Sequence, residues 1–171
     1  MLSSSLTLLK GIHSTDDLKL EPGILESLTR TFTNIIDAGM EPGIILLNNN
    51  PAAVRKKAVQ LLAYLSKRPA YQVDPAQIFS KFIAATEKNL DRIFKKAQEK
   101  NAILFVDEAD ALFGRRKRAD KQERYTTASV DWLLERFEAS KCFVLVGAND
   151  RGSLDSGFMK RIKLAIEQSG A

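Results

Sequence analysis

Two adjacent acids at the end of an apolar run are the residues of this sequence whose type and spacing most suggest chemistry. Ile103-Leu104-Phe105-Val106 leads directly into Asp107-Glu108-Ala109-Asp110. A short run that is apolar throughout reads as a strand buried on both faces, so its end presents Asp107 and Glu108 at a sheet edge. There one carboxylate can hold Mg²⁺ on nucleotide phosphates while the second polarises an attacking water, the arrangement known as Walker B. The same two acids would equally suit the amino terminus of a following helix, where backbone N–H groups favour negative charge. Other chemistries are poorly supplied. Cys142 is the single cysteine, which excludes an intramolecular disulfide and a Cys-based metal cluster. His13 is the single histidine, so a zinc site and a Ser–His catalytic pair both lack support.

The elements that must position these acids alternate in kind. Residues 22–38 read as a helix, with Ile24, Leu25, Leu28, Phe32, Ile35 and Ile36 near one stripe, Pro22 and Gly23 at its start and Gly39 at its end. Residues 43–47 form a short apolar strand. A helix over 52–66 follows, with Val54, Ala58, Leu61, Leu62 and Leu65 on one face, and then a strand over Ala70–Val73 just after Pro69. Thr86 is expected to cap a helix in which Leu90, Ile93, Phe94 and Ala97 fall at i, i+3, i+4 and i+7. The acid-tipped strand over 102–106, a helix over 125–139, an apolar strand over Phe143–Ala148 and a last strand over 162–166 complete the order. Apolar strands alternating with amphipathic helices imply an α/β fold with a parallel sheet of about five strands, covered on both faces. In such sheets ligands bind beyond the carboxyl ends of the strands, where Asp107 and Glu108 fall.

The bulk properties narrow the setting. A chain of 171 residues can bury one proper core and is too short for two. We expect a loosely ordered segment over 1–13 and one domain over 14–171. The net charge of +5 is a modest excess that does not point to nucleic acid, which calls for a denser basic face. Residues 1–9 lack the charged lead and long apolar run of a signal peptide. No stretch nears 18 uninterrupted apolar residues, so no membrane span is expected and the cytoplasm is the expected location. The run Arg115, Arg116, Lys117, Arg118, Lys121 and Arg124 reads first as a solvated loop. Cys142 and Trp132 read as packing residues.

From about residue 14 to 168 the sequence resembles the nucleotide-binding core of the AAA+ ATPases, segment by segment. Ser80-Lys81-Phe82-Ile83 followed by Thr86-Glu87-Lys88-Asn89-Leu90 resembles the first pore loop and its helix, in which an aromatic residue grips a threaded polypeptide. Ala84 stands where glycine is usual two positions later, and Phe82 reads equally as a packing residue. Asp107-Glu108-Ala109-Asp110-Ala111-Leu112-Phe113-Gly114-Arg115-Arg116 resembles Walker B and its continuation. Arg124-Tyr125 with the helix after it resembles the second pore loop, and Gly147-Ala148-Asn149 the sensor 1 position. Leu154-Asp155 with Phe158-Met159-Lys160-Arg161 resembles the segment carrying the arginine finger, which reaches a neighbour's nucleotide. The Asp-Glu-Ala-Asp-Ala-Leu-Phe-Gly run with a following Arg-Tyr is most similar to AAA ATPases associated with phage-tail-like contractile injection systems. The resemblance implies a three-layer α/β/α P-loop NTPase-like core and a ring of homologous or mixed subunits acting on protein. It makes Asp107 the metal residue, Asp107, Glu108, Asn149 and Arg161 the catalytic set, and Lys81, Phe82 and Ile83 the pore loop. The family's helical lid, with its sensor 2, is expected to be absent, because the sequence stops at Ala171.

The departure lies at the phosphate loop. Its G-x-x-x-x-G-K-[ST] pattern would fall on Asn48-Asn49-Asn50-Pro51-Ala52-Ala53-Val54-Arg55. Glycines serve there because the loop uses backbone angles costly to other residues and because nothing must block the phosphates. Pro51 also removes an N–H donor. Val54 stands in place of the lysine that neutralises phosphates, and Arg55 in place of the hydroxyl that ligates Mg²⁺. Asn48, Asn50, Val54, Arg55 and Lys56 are the cofactor-site candidates, although Asn48 to Asn50 read better as an ordinary turn. Lys56 and Lys57 lie roughly 200–300° around the helix from Val54 and read as a solvated face. A charge-assisted hydrogen bond contributes about 1.5–3 kcal/mol. Losing the lysine and one or two donors therefore weakens ATP and Mg²⁺ binding by roughly 10²- to 10⁴-fold. The expected function is a non-hydrolysing or weakly nucleotide-binding regulatory or scaffold subunit of a protein-remodelling or phage-tail-like assembly, partnered by other AAA+ subunits or a protein substrate. The alternative is a residual Mg-ATP-dependent ATPase or unfoldase that uses Asp107 and Glu108.

Overall fold

The computed structural model describes residues 6–48, 51–114 and 130–167. In chain order these form β1 (Leu6–Leu8), α1 (Pro22–Asp37), β2 (Gly43–Asn48), α2 (Ala52–Ser66), β3 (Ala70–Val73), α3 (Ile83–Lys100), β4 (Ile103–Val106), α4 (Asp110–Phe113), α5 (Val130–Ala139), β5 (Phe143–Ala148), α6 (Ser156–Arg161) and β6 (Leu164–Glu167). The sheet order is β1-β3-β4-β5-β2-β6, with β1 antiparallel to β3 and every other pair parallel. The parallel part thus has the five strands expected, and β1 adds a sixth at the edge. Residues 6–8, expected within a loose start, are instead tied down by pairing Leu6 with Val73 and Leu8 with Tyr71.

Period-two alternation along fully buried strands divides the interior into two cores. Ile44, Leu46, Leu104, Val106, Val144 and Val146 face one side, where Leu90, Phe94, Leu133 and Phe137 cover them from α3 and α5. Ile45, Leu47, Ile103, Phe105 and Leu145 face the other, under Leu28 and Phe32 of α1 and Leu61 and Leu62 of α2. The result is the three-layer α/β/α arrangement. The helices form where the 3.6-residue stripe requires it, and α1 starts on Pro22, whose missing N–H would have no partner in a first turn anyway.

Two boundaries differ from expectation. Helix α3 begins at Ile83 with Phe82 as its N-cap, so Thr86 is not the cap. Thr86 lies fully buried in the first turn, where its Oγ1 accepts from the Ser80 backbone N–H at 3.0 Å and fixes the preceding loop. Strand β6 starts at Leu164 because Ile162 is still the C-cap of α6. The helix expected over 125–139 is α5 from Val130 onward; its earlier residues, and the basic run 115–124, lie outside the described residues. Among the described residues no helix is long and apolar enough to cross a membrane.

An aromatic column braces the segment after β4. Phe94 meets Phe137 edge-on at 5.2 Å between centroids, Phe113 meets Phe137 at 5.6 Å, and Phe113 stacks on Phe158 at 4.8 Å. Such pairs contribute about 0.5–1.5 kcal/mol each beyond their burial. They hold the turn carrying Asp107 and Glu108 against α5 and α6. The same packing buries Cys142, and that burial pushes its thiol pKa up, with a Ser140 hydrogen bond opposing only in part. Cys142 is therefore expected to resist a thiol-reactive disulfide reagent at neutral pH in the native protein and to react fully once the chain is denatured. Rapid native labelling would show that the start of β5 is not packed as described.

Candidate functional site

Register places the site. Val106 pairs with Val146, so Asp107 emerges beside Gly147 at the carboxyl edge of the sheet, and Asn149 follows the end of β5. Across from them the first turn of α2 carries Arg55. Its side chain is fully buried, an unusual state for arginine. It is buried because it reaches over the sheet edge: Nε donates to Asp107 Oδ1 at 2.8 Å and Nη2 donates to Asn149 Oδ1 at 3.0 Å. Asp107 is 13% exposed, so the ion pair is largely withdrawn from water. Truncating one partner of such a pair typically costs about 3–5 kcal/mol, because the other charge is left buried and uncompensated.

Backbone geometry fits around that pair. A Cβ on Gly147 would lie 2.3 Å from Asp107 Oδ1 and 2.8 Å from Arg55 Nε. Glycine is required here to let both side chains approach. The Gly147 carbonyl accepts from the Ala109 N–H at 2.9 Å, which locks the turn after β4 to β5. Within that turn Glu108 has φ 52°, in the left-handed region that a non-glycine residue enters at a cost. Its N–H donates to Asp107 Oδ1 at 2.9 Å, partly offsetting the cost, and its side chain is exposed. Beside Asp107 and Glu108, toward β3, opens a cavity of about 530 Å³ also lined by Thr7, Gln72 and Asp74.

The remaining site candidates fall in three places. Asn48, at the end of β2, is buried and donates from Nδ2 to Glu167 Oε1 at 3.0 Å; Arg151 donates to the same oxygen at 2.9 Å. These two bonds, Asn48 first, hold the Glu167 carboxyl below its usual pKa and tie β2, β6 and the turn after β5 together. Asn50 lies outside the described residues. Pro51 is the N-cap of α2 and offers no side-chain bond, Val54 is half-buried, and Lys56 is exposed. On the α3 side, Phe82 is 66% and Ile83 43% exposed, with Lys81 Nζ 5.7 Å from the Phe82 ring centroid. Phe82 is thus not a packing residue. Arg161, at the end of α6, is exposed and lies 3.6 Å from Glu138 Oε1, a partner held in solvent.

The structure therefore gathers Arg55, Asp107 and Asn149 into one contact group and leaves Lys56, Phe82 and Arg161 at separate surfaces. Gly147, Glu167 and Arg151 carry structural duties that residue chemistry alone did not single out. A glycine inside an apolar strand is the available sign for Gly147, since it marks close approach of another group.

Mg²⁺ demands near-octahedral oxygen coordination at about 2.0–2.1 Å. Here the hydroxyl position is an arginine, and its guanidinium already sits against Asp107 Oδ1. A divalent ion brought to that oxygen would meet a buried like charge. The residues present do not fit the metal.

A parallel α/β/α domain with paired acids at a strand end and a polar residue at the next strand's end defines a nucleoside-triphosphatase-like core. The model for the "ATPase family associated with various cellular activities (AAA)" matches residues 53–169, more than half of the chain, and the chain belongs to that family. Membership implies nucleotide and Mg²⁺ binding in general, which makes the local misfit at Arg55 informative. Over 105 residues the chain is 32% identical to Cell division protein C of Sulfolobus acidocaldarius, covering 56% of this chain and 28% of that protein. Over 98 residues it is 35% identical to ATPase family gene 2 protein homolog B of Homo sapiens, covering 54% of this chain and 13% of that protein. It thus spans less than a third of either relative. A chain of the E. coli MS115-1 HORMA:CdnC:Trip13 complex superposes with a TM-score of 0.71 at 13% identity, covering 98% of this chain and 70% of that one. The FIGL-1 AAA domain in complex with ADP gives a TM-score of 0.67 at 19% identity, covering 96% and 58%. At these identities the likeness establishes the fold alone.

The tight seat makes a direct prediction. Gly147→Ala is expected to lower stability by about 1–3 kcal/mol, because the added methyl displaces Asp107 or Arg55. Urea denaturation should show a reduced midpoint with unchanged slope; an unchanged midpoint would mean the pair does not occupy the space described.

Proposed function

We propose that this chain is a non-hydrolysing AAA-family module, a regulatory or scaffold subunit that binds nucleotide weakly or not at all. The carrying observation is at the phosphate side of the site. The α2 position that would present a cation to phosphates is Val54, half-buried and apolar, while Lys56 is exposed on another face. Pro51 starts the helix and supplies no N–H. With the Arg55 guanidinium engaged by Asp107 and Asn149 and no other cation directed at the phosphate position, the site lacks the term that offsets desolvation of a triphosphate.

Two surface features support work with other proteins. Phe82 and Ile83 present an apolar tip beside Lys81, suited to contact with a polypeptide. Arg161 stands exposed at the end of α6 and is available to a neighbouring subunit, since its bond to Glu138 is solvent-screened and contributes about 0–1 kcal/mol. We infer a place in or beside a ring of AAA subunits in a protein-remodelling assembly. The Asp107-to-Gly114 run supports an assembly of the contractile-injection type.

Titration with a fluorescent ATP analogue and Mg²⁺ tests this reading. No saturation is expected below about 1 mM, which corresponds to less than about 4 kcal/mol of binding. Micromolar saturation abolished by Asp107→Ala would overturn it in favour of a residual ATPase, and turnover lost in Glu108→Gln would establish one.

A further inference from the structure

We propose that the Arg55 guanidinium is the resident cation of this site, standing in place of a divalent metal and closing the Asp107–Asn149 pair into a metal-independent joint. The proposal rests on the reading that the chain does not load Mg-nucleotide, and it assigns the cause on the metal side of the site, independently of the missing lysine at Val54.

Four observations converge. Arg55 bridges two acceptors from different strands, Asp107 after β4 and Asn149 after β5, which is what a coordinating ion at this edge would do. Its complete burial is tolerable only while its partners remain in place. Gly147 provides a seat shaped to the arginine, since a Cβ would also come within 2.9 Å of Arg55 Cδ. Among the described residues, the Asp107 carboxylate supplies the charge that pairs with the guanidinium. Adding a divalent ion at Asp107 Oδ1 would set two further positive charges against a fully buried guanidinium. A guanidinium also differs from a metal in permanence. It is covalently attached to α2 and stays charged at all accessible pH values, so the joint between α2 and the sheet edge holds whether or not any ligand is present.

The experiment compares full-length wild type, Arg55→Ala and the double variant Arg55→Ala/Asp107→Ala. Thermal midpoints are read in saturating Mn²⁺ and in chelator, and bound Mn²⁺ is counted by electron paramagnetic resonance without nucleotide. Wild type is expected to show no Mn²⁺-dependent shift and no bound Mn²⁺. Arg55→Ala should melt lower, recover part of the loss in Mn²⁺, and bind the ion at least ~10-fold more tightly than wild type. The double variant should lose that response. Mn²⁺ bound by wild type at the Asp107 site, or an Arg55→Ala protein indifferent to Mn²⁺, overturns the proposal. Should Arg55→Ala fail to fold, Arg55→Lys keeps a shorter charge and is expected to fold with a lower midpoint, still without Mn²⁺; Mn²⁺ bound by this variant as tightly as by a carboxylate site open to solvent overturns the proposal. The two readings fail separately: metal-free binding of the ATP analogue contradicts the proposed function alone, and Mn²⁺ binding by wild type without nucleotide contradicts the Arg55 assignment alone.

Discussion

A buried arginine must find a counter-charge, and in this domain that requirement organises the whole carboxyl edge of the sheet. Arg55 is carried by α2, while Asp107 directly follows β4 and Asn149 directly follows β5. Satisfying one guanidinium therefore fixes one helix against two strands. Gly147 must remain without a side chain, and the Glu108 backbone turns through the left-handed region just where Asp107 accepts its N–H. The aromatic column of Phe94, Phe137, Phe113 and Phe158 supports the same turn from behind. A second, solvent-facing tie from Asn48 through Glu167 to Arg151 secures the neighbouring strands.

This joint separates two sets of features that a motor would couple. On one side are the acids and the polar residue after β5, held by an internal cation. On the other are exposed groups, Phe82 on the loop before α3 and Arg161 at the end of α6. On the proposed reading, a permanent cation leaves this site no metal-loaded state through which nucleotide could act on those surfaces. That fits a subunit that supplies shape and contacts to an assembly.

Much of the framework was legible because it depends on local pattern. Runs such as Ile103 to Val106 and Phe143 to Ala148 are apolar at every position, which only strands buried on both faces require, and α2 and β3 fall where stripe and Pro69 place them. Boundaries set by distant contacts were less legible. Three residues over 6–8 carry too little pattern to reveal β1, whose existence depends on pairing with β3. Thr86 has the chemistry of a cap, yet its hydroxyl serves Ser80 from inside the helix. The decisive site contact was half-visible. Arg55 lies on the helical stripe of the buried Ala58, Val59 and Leu62, whereas the apolar pattern of the sequence draws the inward face through Val54, which is only half-buried. What the stripe could not disclose was a partner 52 residues away in sequence. Residue type suggested only a missing hydroxyl; the fold supplied the carboxylate.

The most direct test of this account is a crystal structure of the full chain soaked with Mn²⁺ and a non-hydrolysable ATP analogue, read in anomalous difference maps. The account predicts Arg55 still donating to Asp107 and Asn149, with no anomalous peak on the Asp107 carboxylate. A manganese ion coordinated by Asp107 with the Arg55 side chain swung away would contradict it.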